Sequence, residues 1–321
     1  MDNTKGTKPY HTLGFCLFRK CNACCEICCF DSDISCPEEL RIDRVKEYIL
    51  ESKKISYLET IAFTGGEPFL AYEMILDLVS FAHQCGKRVT LITNGFWATN
   101  MDVTMNKLKS LKESGLNHLS ISFDTYHLQY IPILNIKNIL KVAQRIDLPI
   151  TLSMVKIKNE KVGFLLDKLE GELYGVPFEM VPCLPAGRAN KCFNDNDFDR
   201  RLRSSDKGLR CYYAGNLVVG YDGYIYPCCS QMSMSTGLQI GNFNEISLKD
   251  ALYKAKNNSL LYLIRNMDMS VFVEYAKSKQ VNLPNFVVHQ CELCPYLFSK
   301  ENLTIYKELV KSEIQKIKHT L

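Results

Sequence analysis

Cys21, Cys25 and Cys28 stand at C-x3-C-x2-C spacing inside CNACCEICCF. Thiolates this close on one short loop can hold three irons of a [4Fe–4S] cube and leave the fourth iron without a protein ligand. That open iron can chelate the amino and carboxylate groups of S-adenosylmethionine (SAM), placing its sulfonium beside the cluster for one-electron cleavage. Cys24 and Cys29 share the loop. A structural zinc site with paired cysteine knuckles is therefore the competing reading of the spacing.

A second group lies downstream: Cys211, Cys228 in DGYIYPCCS, and Cys291-x2-Cys294. These four thiolates could fully ligate one auxiliary iron–sulfur cluster, and zinc is a more serious rival here because two separated pairs are its habit. Cys229 directly follows Cys228. Neighbours on a strand point opposite ways, so Cys229 could turn away from the cluster and offer its weak S–H bond. It could equally be the ligand itself or a small buried apolar residue.

Three polar strand ends complete the set. Gly65, Gly66 and Glu67 lie in FTGGEP, Asn94 in TNG, and Ser122 and Asp124 in SISFD. Glycines let a backbone come close to a ligand, and the Glu67 carboxylate can accept from the SAM ammonium. Ser122 and Asp124 could meet the ribose hydroxyls or the methionine carboxylate. Each is a common turn feature alone; at successive strand ends they form one SAM site. His127 reads as an ordinary loop histidine, and Phe96 and Trp97 as packing residues. Cys16, Cys36, Cys85, Cys183 and Cys192 read as free thiols.

These residues need a scaffold that brings strand ends together. The predicted strands are 11–18, 60–64, 88–94, 118–124, 149–156 and 178–183, with amphipathic stretches at 37–53, 71–85, 102–114, 135–146 and 161–170. Such alternation implies parallel strands joined by right-handed crossovers. About six units make an α/β fold of the partial (β/α)6 TIM-barrel type, shorter than the closed eight-unit barrel. The expected division is 1–187 for this core, 188–210 for a polar, basic linker or covering segment, and 211–321 for a cluster-bearing region. That region contains a hairpin at 216–227 turning at Asp222–Gly223 and helical patterns at 247–257, 259–280 and 299–318.

Composition sets the context. The 321 residues carry a formal net charge of +4, with 46% hydrophobic and 23% charged residues. This is too mild a charge to argue for nucleic acid or membrane partners. No apolar run approaches the roughly 20 residues of a membrane span, and the first residues lack a signal-peptide core. A cytoplasmic location is expected. There, fifteen clustered cysteines point to metal rather than disulfides.

The three-cysteine loop with GGEP and TNG resembles the radical SAM superfamily, and the tail resembles a shortened SPASM region of the twitch type with one auxiliary cluster. Together with SFDTYH, DGYIYPCCS and the late C-x2-C, the resemblance narrows to the epipeptide epimerases across nearly the whole chain. It implies two [4Fe–4S] clusters, SAM, an electron donor of flavodoxin or ferredoxin type, and a ribosomally made precursor peptide as substrate. It further implies conversion of L- to D-residues: a 5′-deoxyadenosyl radical removes the Cα hydrogen and a cysteine, matching Cys229, returns one. The family's aspartate past the first auxiliary cysteine is Asn216 here, and an amide cannot act as an acid–base group near neutral pH.

The alternative within the same chemistry is a maturase forming a thioether or C–C cross-link with loss of two hydrogens. A dehydrogenase acting on an aminoglycoside-like alcohol is a weaker option. A zinc-stabilised peptide-binding protein would leave GGEP and TNG unexplained.

Overall fold

The computed structural model describes residues 10–211 and 214–320. The first residues, 1–9, where no signal core was found, lie outside them. The chain divides into two compact units, one from Leu13 to Asp199 and the other formed by the described residues before it and from Arg200 onward.

The first unit alternates strand and helix: β1 (Thr12–Cys16), α1 (Ile42–Ser52), β2 (Thr60–Thr64), α2 (Tyr72–Gln84), β3 (Arg88–Thr93), α3 (Met101–Glu113), β4 (Leu116–Ser122), α4 (Ile133–Arg145), β5 (Ile150–Lys156), α5 (Gly163–Leu173) and β6 (Phe178–Pro182). The strands lie in sequence order and β2 through β6 pair in parallel, the expected partial (β/α)6 barrel. Period-two patterning sorts their side chains. Ile61 and Phe63, Val89 and Leu91, Leu119 and Ile121, and Leu152 and Met154 are buried. The intervening positions Thr64, Ile92, Ser122, Ser153 and Val155 turn toward a common cavity. Helix starts follow local chemistry: Asn100 Oδ1 accepts from Val103 N at 2.9 Å to cap α3. The unit closes with the short helix α6 (Ala189–Cys192).

The second unit holds β7 (Leu202–Arg203), β8 (Asn216–Val219), β9 (Tyr224–Tyr226), β10 (Gly241–Asn242), α7 (Leu248–Lys256), α8 (Ser259–Asn266), α9 (Met269–Ser278), β11 (Phe286–Val287), α10 (Cys294–Leu297) and α11 (Lys307–Thr320). β8, β9 and β10 form an antiparallel set, and β11 pairs with β7. The predicted hairpin is present. Asp222 serves its turn, accepting from Tyr224 N at 3.1 Å and the Tyr226 hydroxyl at 2.6 Å.

The pattern at 259–280 is two helices rather than one. Asp268 is extended and its Oδ1 accepts from Ser270 N at 2.9 Å, so a side-chain cap starts α9 where α8 stops. Phe272, Phe298, Tyr306, Leu263 and Leu297 form the core beneath. Each large apolar side chain so buried contributes about 1.5–3 kcal/mol. No helix among the described residues is long and apolar enough to cross a membrane.

Candidate functional site

In the first unit, the loop after β1 is short of regular structure, so its carbonyls need partners. Cys21 N donates to Asp33 O at 2.9 Å and Cys28 N to Cys25 O at 3.0 Å. Arg188 supplies several more. Its backbone N–H reaches Cys28 O at 2.8 Å, and its guanidinium reaches Cys25 O at 3.2 Å, Ser32 O at 2.9 Å and Asp31 Oδ1 at 3.1 Å. Gly187 precedes it at φ 55°, where a Cβ would sit 2.4 Å from Cys29 O. Arg188 is thus a clamp on the cysteine loop, not part of a solvated linker. Sequence composition could not show this, because one arginine among many basic residues carries no mark.

Cys21, Cys25 and Cys28 line one cavity of about 240 Å³, together with Gly65, Gly66, Asn94, Ser122, Ser153 and His127. Burial pushes the Cys21 thiol up to about 12 and raises that of Cys25 as well. Iron bound there would hold these sulfurs as thiolates. Three converging thiols with polar hydroxyl, amide and imidazole neighbours fit an iron–sulfur cluster and SAM. Among the described residues, no three His, Cys, Asp or Glu groups come together as a site for a single metal ion.

Two residues expected at SAM, Glu67 and Asp124, have carboxylates bonded within the protein. Glu67 is fully buried and spends its carboxylate on the protein: Oε1 accepts from Phe69 N at 3.0 Å and Thr93 Oγ1 at 2.8 Å, and Oε2 from Asn94 N at 2.6 Å. Burial raises its carboxyl to about 7 against those donors. It fixes the TNG segment, whose Asn94 Nδ2 donates to Asn22 Oδ1 at 2.9 Å, within the cysteine loop. The glycines serve the same join. A Cβ on Gly66 would sit 2.0 Å from Lys20 O. Gly66 N and Glu67 N donate to Phe18 O and Lys20 O at 2.7 and 2.9 Å.

Asp124 is also fully buried and does not line the cavity. Its carboxylate accepts from Tyr126 N, His127 N, His127 Nδ1 and Val155 N at 3.0, 3.1, 2.9 and 3.2 Å. His127, expected to be an ordinary loop residue, is brought to the cavity instead. Its three-residue distance from a strand-end aspartate was the available signal. Trp97 is a packing residue as expected, stacked on Phe69 at 4.2 Å.

The second unit gathers Cys211, Cys228 and Cys294 around one small cavity. Burial raises Cys294 far above the ordinary thiol range, and the charges of Cys291, Cys228 and Cys211 add to the shift. Burial likewise raises Cys291, to about 12. Between the last two, Glu292 is buried and accepts from Arg200 Nε at 2.8 Å and Val288 N at 2.7 Å, fixing the C-x2-C turn. Nothing local in the sequence marks that pair.

Cys228 and Cys229 follow β9 rather than lying in it, so strand alternation does not separate them. Surroundings do: Cys228 lines the cavity and Cys229 is exposed. Asn216 Nδ2 donates to Cys229 Sγ at 3.3 Å, while Asn216 Oδ1 is buried without a partner among the described residues. Local burial still pushes the Cys229 thiol up, with the Asn216 bond pulling the other way.

Comparison with known proteins accords with both sites. Residues 15–162 match the radical SAM superfamily, and residues 211–295 match the SPASM iron–sulfur cluster-binding domain. The chain is 27% identical over 293 residues to the putative peptide biosynthesis protein YydG of Bacillus subtilis (strain 168), covering 90% of this chain and 92% of that one. A probable GTP 3′,8-cyclase of Methanocaldococcus jannaschii is 23% identical over 266 residues, covering 69% of this chain and 85% of that protein.

Two solved structures share the fold. One is anSMEcpe with bound AdoMet and Cp18Cys peptide, at TM-score 0.57 and 14% identity, covering 95% of this chain and 99% of that one. The other is BtrN in complex with AdoMet and 2-DOIA, at TM-score 0.52 and 15% identity, covering 89% and 97%. The chain therefore carries a radical SAM domain followed by a SPASM domain, and with them the cofactors those domains imply: SAM, its [4Fe–4S] cluster and auxiliary iron–sulfur ligation.

Proposed function

We propose that this protein modifies a ribosomally made peptide, converting L-residues to D-residues through a Cα radical. Two relatives support a peptide substrate: YydG is described as a peptide biosynthesis protein, and anSMEcpe was solved with a peptide. Cys21, Cys25 and Cys28 hold the SAM cluster, with Gly65, Gly66, Asn94 and Ser122 around the cofactor. Cys211, Cys228, Cys291 and Cys294 hold a single auxiliary cluster. When bound, SAM and its cluster supply the 5′-deoxyadenosyl radical that takes the Cα hydrogen. Cys229 returns hydrogen from S–H to the opposite face and becomes a thiyl radical. One electron, from a flavodoxin- or ferredoxin-type donor, and one proton restore the thiol.

The carrying observation is the exposed Cys229 thiol beside a set of four gathered cysteines, with the Asn216 amide 3.3 Å from its sulfur. That contact gives Asn216 a role without acid–base chemistry, since an amide can orient a sulfur that it cannot deprotonate. The test is an anaerobic reaction in D2O with SAM, reductant and the precursor peptide encoded beside the enzyme. Gain of one deuterium at a Cα with no other mass change is the expected result. Loss of two hydrogens without deuterium uptake would overturn epimerisation in favour of a thioether or C–C cross-link, the reading that Asn216 in place of a carboxylate favours.

A further inference from the structure

We propose that the Tyr10 hydroxyl donates a hydrogen bond to a sulfur of the auxiliary iron–sulfur cluster and, with the Arg265 guanidinium beside its ring, raises that cluster's reduction potential. The inference rests on Cys211, Cys228, Cys291 and Cys294 holding the cluster and not on the outcome at the peptide. Tyr10 stands just before β1 and belongs with the second unit. His11 N donates to Gly215 O at 3.0 Å, directly before β8, which pins this segment in place. The Tyr10 side chain lines the same cavity as Cys211, Cys228 and Cys294 and is 3% exposed.

Its hydroxyl oxygen is buried and has no hydrogen-bond partner among the described residues. A hydroxyl left that way carries a desolvation penalty that a phenylalanine ring in the same place would avoid. Arg265, on α8, holds its guanidinium 4.6 Å from the Tyr10 ring centroid and lines the cavity too. A guanidinium only donates, so it cannot take the phenol proton. Three thiol sulfurs share the cavity with that proton. With iron bound they become anionic acceptors, joined by the cluster's own sulfides. Leu261 and Ile264, also on α8, give the cavity an apolar wall, against which a hydrogen bond counts for more. A donor to a cluster sulfur favours the more negative, reduced state, and a nearby cation does the same.

The test is an anaerobic redox titration of the full chain with both clusters loaded, followed by EPR with SAM present to tell the first cluster's signal from the auxiliary one. Y10F keeps the ring and removes the proton. At a given potential it should shift the auxiliary cluster's oxidised-to-reduced ratio about tenfold toward oxidised, about 60 mV for one electron, while the first cluster's midpoint stays where it was. Pulsed ENDOR after exchange into D2O should show one exchangeable coupling fewer at the auxiliary cluster of Y10F, which a change of packing alone would not produce. R265Q should also lower the potential but keep that coupling. Iron at about eight per chain confirms that each variant is intact. An unmoved potential with unchanged couplings in Y10F would overturn the hydrogen bond, and a shift in R265Q alone would overturn it in favour of charge. A wild-type chain with about four irons and no auxiliary signal would instead remove the cluster, and the proposal with it.

Discussion

The two cysteine sites are built on opposite plans. Cys21, Cys25 and Cys28 come from one loop, on which Arg188 takes the carbonyls of Cys25, Cys28 and Ser32. Cys211, Cys228, Cys291 and Cys294 come from separate places along a unit, held by its core and by the ion pair between buried Glu292 and half-buried Arg200. A loop site depends on local bonds and tolerates change elsewhere. A gathered site inherits the stability of everything that gathers it.

Removing a ligand from each site should give the largest contrast. C25A is expected to abolish SAM cleavage altogether, whereas C294A should keep cleavage while iron falls from about eight to about four per chain. Iron analysis and 5′-deoxyadenosine yield read both. Loss of cleavage in C294A would mean that the two sites are not independent. C229A comes next: cleavage is expected to persist while D-residue formation falls to background. An unchanged epimer yield would remove Cys229 from the donor role.

The clamps allow a finer crossing. R188A strips three carbonyls or carboxylates of their guanidinium donor and should loosen the first loop by about 2 kcal/mol. Chelator should then remove the radical-site iron faster while the auxiliary EPR signal holds. R200A leaves the Glu292 carboxylate buried without its cation and should destabilise the second unit by about 3 kcal/mol. There the auxiliary iron should go first. If both variants lost the same iron, the distinction between local and gathered sites would fail.

The same contrast decides what could be read from the sequence. The six strands and the first cysteine triad were legible because period-two patterning and C-x3-C-x2-C spacing are local. The late cysteines were legible as candidates, and their convergence depends on tertiary packing. Glu67 and Asp124 are legible as carboxylates at strand ends, and in the structure their oxygens accept from backbone and side-chain donors of the protein. Sequence shows that a carboxylate is present, not which donors reach it first. His127 and Arg188 were passed over because their partners, Asp124 and the Cys25 carbonyl, declare themselves only in space. Asn216 was noticed as a missing acid, and the structure gives it a sulfur partner instead.

The smallest effect should come from Asp268, which separates α8 from α9 in the core under the gathered site. Burial acts to raise its carboxyl, yet the N–H groups of Ser270 and Gly208 prevail and hold it below the usual range. A depressed carboxyl contributes stability that is present above the unfolded value near 4 and is lost as pH falls through the folded value. D268A should therefore cost the second unit about 1 kcal/mol at neutral pH, the worth of a helix cap, and progressively less in acid. D268N, which keeps an oxygen acceptor, should be milder. Thermal unfolding followed by the auxiliary cluster's absorbance reads this directly, and the first cluster's SAM-dependent EPR change should stay where it was. A D268A variant that disturbed the first cluster as much as the second would show that Arg188 alone does not secure the loop.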